Sequence, residues 1–123
     1  MTMTYESVVV IESQEACGVT FTVAKMSYAR RVELMRKIRE LARKLEFLEA
    51  STQPADKMDA SLLEAEINRL YVTWGLRAIT GLTLDGAEAT PELLAEDGPE
   101  NLFREVLAAV QGQAGLTEAE RKN

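Results

Sequence analysis

Two apolar seams limit what this chain can fold into. Leu34, Ile38, Leu41, Leu45 and Leu48 recur at steps of 4, 3, 4 and 3 residues, and Leu63, Ile67, Leu70, Tyr71, Trp74 and Ala78 follow a matching spacing. Steps of three and four bring side chains back to one face of an α-helix, so each seam marks a helix with one buried stripe. The stretch STQPADKMD between them is short, and two such stripes joined by a short link bury each other as an antiparallel pair. Ser27 is placed to cap the first helix, which is expected to run to about Ala50. Glu33–Lys37 and Glu40–Lys44 support it at i, i+4 in the favourable order. Asp59 is expected to cap the second helix, over about Ala60 to Thr80, with Gly81 as a left-handed C-cap. Pro54 and its acidic neighbours mark the link as the most flexible connection.

The flanking segments read differently. Residues 7–11 (SVVVI) and 19–23 (VTFTV) are β-branched runs, and Val19, Phe21 and Val23 alternate with Thr20 and Thr22. They predict a hairpin with one buried face, which is marginal alone and must lie on a helix or pair with another chain. After the second helix, LTLDGAEA holds an Asp-Gly turn suited to a small hairpin. Thr90, Pro91 and Gly98 punctuate a helix of two turns. Pro99 opens a last helix to about Gln111, with Leu102, Phe103, Val106, Leu107 and Val110 on one face. Gly112 and Gly115 are expected to end it, and Thr117 with Glu120 forms a weak capping box in the polar tail. The expected fold is mainly α: an antiparallel helix pair, two shorter helices and an N-terminal β-hairpin. Its parts are the hairpin over 1–24, a helical region over 25–111 and a polar tail over 112–123, in one compact domain.

Reactive chemistry is sparse. At 123 residues the chain has no histidine and one cysteine, Cys17. It therefore lacks the commonest general base and metal ligand, and it cannot form a thiolate zinc site. No phosphate-cradling glycine loop is present. Glu64 and Glu66 point to different faces of their helix. Glu96, Asp97 and Glu100 gather at a helix end, where acids are common. Both sets read as solvated surface, so no catalytic, metal or cofactor-binding residue is expected and the chain is read as no enzyme. No apolar run approaches the roughly 18 residues of a membrane span, and MTMTYESVVV lacks the basic start of a signal peptide, so a cytoplasmic protein without membrane partners is expected.

Charge is distributed unevenly within a net −6. Arg30 to Glu49 carries seven basic and four acidic residues, whereas Ser51 to Glu120 carries four and thirteen. A basic helix joined to an acidic remainder favours protein association over nucleic acid, because the acidic part repels phosphate. Arg36, Arg39 and Arg43 on that helix are candidate partner contacts. So are Tyr71 and Trp74, whose bland alternative is a place in the core. Gly75, beside Trp74, costs up to about 1 kcal/mol relative to Ala in a helix, which suggests close approach of another backbone, from LTLDG or from a partner.

The order W-G-L (74–76), I-x-G-L-x-L-D-G (79–86), A-T-P-E-L-L (89–94) and D-G-P-x-x-L (97–102), followed by Glu105 and the closing GLTEAERKN, resembles tail assembly chaperones of long-tailed bacteriophages and prophages. The likeness covers about Met26 to Asn123 and is strongest from Tyr71 onward. It implies a non-catalytic, mostly helical protein of the host cytoplasm that coats the tape measure protein and helps recruit tail tube subunits. Such a protein is absent from the finished virion. No functional residue carries over from the resemblance, and self-association stays open. The resemblance further implies that some ribosomes slip near the end of the gene to make a longer form; Arg121-Lys122-Asn123 permits the heptamer A-AAA-AAC there. The alternative is a small helical regulator that binds DNA or protein through the basic 30–44 helix.

Overall fold

A computed structural model describes residues 1–116 and residue 120. Thr117 and Arg121–Asn123, on which the capping box and the slip site fall, lie outside the described residues. The protein is mainly α, with four helices of more than one residue and a small N-terminal hairpin among the described residues. Strands β1 (Val8–Glu12) and β2 (Thr20–Ala24) form that hairpin, pairing antiparallel from Val8 opposite Ala24 to Glu12 opposite Thr20. Helices α1 (Tyr28–Glu49) and α2 (Pro54–Gly75) follow, and then strand β3 (Leu76–Thr80). Strands β4 (Thr83–Leu84) and β5 (Ala87–Glu88) make a second hairpin, and helices α3 (Pro91–Asp97) and α4 (Glu100–Ala114) follow it.

Several expected boundaries hold for the expected reasons. Ser27 caps α1, its hydroxyl accepting from the Arg30 N–H, and Thr90 caps α3 by accepting from the Leu93 N–H. Leu34, Ile38 and Leu45 of the first seam are buried, as are Ile67 and Tyr71 of the second, and α1 packs chiefly on α2. Asp85 and Gly86 both have positive φ, 51° and 85°, the geometry of the two-residue turn that joins β4 to β5.

Three boundaries differ. The second helix starts at Pro54, not Ala60: Pro54 takes the first helical position, and Asp56 in the first turn accepts from the Ser51 hydroxyl at 2.7 Å. A proline whose missing N–H would be unpaired anyway initiates the helix here rather than marking a loop. Asp59 accordingly sits inside α2 and caps nothing.

The same helix ends at Gly75 rather than Thr80, and residues 76–80 are a strand. β3 pairs antiparallel with β2, so the sheet has three strands in the order β1-β2-β3. The hairpin thus finds its third strand within its own chain. Ala78, read as the end of the helical stripe, lies exposed on β3. Val23 faces Leu76 while Thr22 faces Ala78, so Arg77 is an extra residue in a bulge. That bulge hides the strand's alternation. The Thr20 and Thr80 hydroxyls hydrogen-bond across the pair.

Finally, α4 runs through Gly112 to Ala114 and stops at Gly115. Ala114 is buried, so packing of the last turn outweighs the roughly 1 kcal/mol that a helical glycine costs.

The core lies between the sheet and the helices. Phe21 and Val23 of β2 meet Leu34 and Ile38 of α1, Ile67 and Val72 of α2, Leu94 of α3, and Leu102, Val106 and Val110 of α4 in one buried cluster. α4 lies on both β2 and α2. Ser13 and Gln14, just beyond β1, tie it down: the Ser13 hydroxyl and the Gln14 N–H donate to the two Glu105 carboxylate oxygens at 2.6 and 2.7 Å. Gly75 owes its identity to α4. A Cβ at that position would stand 3.1 Å from Val110 Cγ2 and closer still to Cγ1. The neighbour is therefore a side chain of α4, not the backbone that the sequence suggested.

Candidate binding surfaces

The helical pair is unevenly covered. Toward the α1–α2 link only Ala42, Leu45 and Ala60 are buried, while Leu48 and Leu63 are half-buried. Phe47 is 77% exposed, Met58 66% and Leu62 62%. None of these three belongs to a seam; Phe47 and Leu62 stand beside the seam residues Leu48 and Leu63, and Met58 lies a turn before Leu62 on α2. Between the two helices a groove of about 570 Å³ runs along this exposed side. Its floor and apolar walls are Phe47 and Leu48 of α1 and Leu62 and Leu63 of α2. Arg43 and Lys44 rim the α1 side, and Asp59 and Glu66 rim the α2 side. Such a concave, apolar, charge-rimmed trough suits the apolar face of a helix.

The residues singled out in the sequence fall into separate places. Tyr71 is in the core at 3% exposure. Trp74 is half-buried, and the Arg30 guanidinium lies 4.2 Å from its ring centroid. Arg30 Nη2 also donates to the Trp74 carbonyl at 2.9 Å. Burial lowers the Arg30 pKa from its ordinary value, Arg77 lowers it further, and Glu33 opposes both. An arginine so placed stays charged at neutral pH, held by the ring face and the carbonyl. Arg30 Nε and Trp74 Nε1 are buried there without a hydrogen-bond partner among the described residues. Glu33, Lys37, Arg77 and Glu92 line the cleft beside this stack, two acidic and two basic groups around Arg30.

Arg36, Arg39 and Arg43 are all exposed on α1. Their spacing of three and four puts them on one stripe, and Tyr28, 87% exposed, precedes it as Phe47 follows it. Arg31 leaves the basic set by pairing with Glu120 at 2.9 Å. Of the carboxylates weighed for chemistry, Glu96 pairs with Arg69 at 2.6 Å and Glu100 with Arg104 at 3.0 Å. Among the described residues no three His, Cys, Asp or Glu side chains gather to hold a metal ion, and no helix is long and apolar enough to cross a membrane. Cys17 is exposed.

Phe47, Met58 and Leu62 are the surface residues that sequence reasoning missed. A signal was present: all three are large apolar residues outside the seams, and Phe47 and Leu62 stand one step off, where a helix buried only on its seam would carry polar groups. No protein family, curated protein or solved structure matches this chain.

Proposed function

We infer that this chain is a non-catalytic tail assembly chaperone of the kind its sequence resembles, holding apolar-striped helical segments of a tape measure protein. The observation that carries this reading is the open groove between α1 and α2, with Phe47 and Leu62 exposed along it. A long helical client with an apolar face is insoluble until that face is covered, and a trough with apolar walls and charged rims covers one helix face at a time. Several copies along one client would leave an acidic exterior, which keeps the complex dispersed. The protein would act in the host cytoplasm, help bring tail tube subunits to the client, and leave before the virion is complete.

Duplex DNA binding through the 30–44 helix draws less support. Arg30 is stacked on Trp74 and Arg31 is paired with Glu120, while Arg43 and Lys44 border an apolar groove. Co-expression with the tape measure protein tests the chaperone reading. The client should stay soluble and co-purify with this chain, and Leu62→Asp should abolish both effects. A client that is equally soluble without this chain refutes the proposal. A salt-dependent gel shift of duplex DNA would favour the regulator instead.

A further inference from the structure

The rims of the α1–α2 groove carry opposite charges. Arg43 and Lys44 line the α1 side, and Asp59 and Glu66 the α2 side. None of these four makes an ion pair or side-chain hydrogen bond among the described residues. Four unpaired charges thus flank apolar Phe47, Leu48, Leu62 and Leu63, basic on one wall and acidic on the other. A surface built this way is complementary to itself. Rotating a second hairpin by 180° about an axis along the groove lays its α1 over the first chain's α2, and its α2 over the first chain's α1. Every basic wall then meets an acidic wall. Docking about an axis across the helices would instead set basic against basic and acidic against acidic.

We propose that, in the absence of a client, a second copy of this chain closes the groove, giving a two-fold four-helix bundle in which each α1 packs on the other copy's α2. The apolar walls supply the association energy. The rims choose between the two orientations, because exposed ion pairs contribute little affinity but like charges set face to face are costly. Phe47 and Leu62 come together at the centre, and their exposure in the single chain becomes burial in the pair. A helical client would then compete with the second copy for one groove. The dimer itself is a property of the free chain and does not depend on the client reading.

Sedimentation equilibrium of the free chain, with circular dichroism to confirm folding, tests this. The wild type should sediment at twice the chain mass. Arg43→Glu/Lys44→Glu, with two acidic walls, and Asp59→Lys/Glu66→Lys, with two basic walls, should each be monomeric. Mixed in equal amounts, the two variants should form a dimer containing one chain of each. Leu62→Asp should be monomeric and folded, since that side chain is exposed in the single chain. A wild type that stays monomeric at the highest concentration reached overturns the proposal. So does a pair of charge variants that stay monomeric when mixed, or a Leu62→Asp variant that still dimerises. A monomeric wild type that nevertheless keeps its client soluble would refute the dimer and leave the chaperone function standing.

Discussion

Gly75→Ala separates this fold from the continuous helix that the second seam suggests. The added methyl would lie 3.1 Å from Val110 Cγ2, 3.3 Å from Val110 Cβ, and closer to Cγ1. Val110 is 1% exposed and β-branched, so it has little room and few rotamers with which to give way. Overpacking of this kind costs about 1–3 kcal/mol. Against it stands the helix-propensity gain of alanine, at most about 1 kcal/mol and smaller at Gly75, the last residue of α2. The net expectation is a loss of about 1–2 kcal/mol, which for a chain of this length lowers the melting temperature by roughly 4–8 °C. Val110→Ala alone should cost about 2–3 kcal/mol from two lost carbons and a partial cavity. In the double variant the new methyl fills part of that cavity. Its loss should therefore fall short of the sum of the two single losses by about 1 kcal/mol or more. Urea denaturation of the four proteins reads all of these quantities. If α2 ran on to Thr80 as an unobstructed helix, Gly75→Ala would stabilise the protein and the two changes would simply add. Either result refutes the contact between α2 and α4.

Other changes probe the rest of the fold. Ile38→Ala and Ile67→Ala, both fully buried, should each cost about 2–5 kcal/mol, whereas Leu41→Ala and Leu70→Ala, only half-buried, should fall at or below the bottom of that range. Denaturation midpoints that rank the half-buried pair as the more costly would contradict the seam geometry. Gly81→Ala should cost at least about 2 kcal/mol, because Gly81 has φ 81° and a Cβ there would collide with the Gly18 carbonyl oxygen. A melting temperature equal to wild type would remove that close approach. Arg30→Gln should change the emission of Trp74, the only tryptophan, by taking the cation off its ring, and an unchanged spectrum would refute the stack.

The helical pair was legible because its seams are long and regular, and the caps at Ser27 and Thr90 because a short polar side chain before a helix has few other uses. The third strand was not. Leu76 to Thr80 continues a helical spacing as far as Ala78, and the extra residue Arg77 breaks the alternation by which a strand is recognised. Gly75 followed by a segment ending in Ile79 and Thr80 was the available clue, and its weight rests on β2 needing a second neighbour, which local sequence does not reveal. The start of α2 was missed because proline both breaks helices and opens them. Which role it plays at Pro54 depends on Ser51 and Asp56 closing the turn around it. The groove was hidden for a related reason. Phe47 and Leu62 look like core residues until packing shows that nothing among the described residues covers them.

The most direct test of the proposed chaperone function is the soluble fraction of a tape measure protein when co-expressed with wild-type chain, with Leu62→Asp and with no partner. Tape measure protein that is soluble and bound to several copies of the wild type, and that aggregates in the other two cases, is the expected result. Equal solubility in all three would contradict the assignment of this groove, and of this protein, to holding that client.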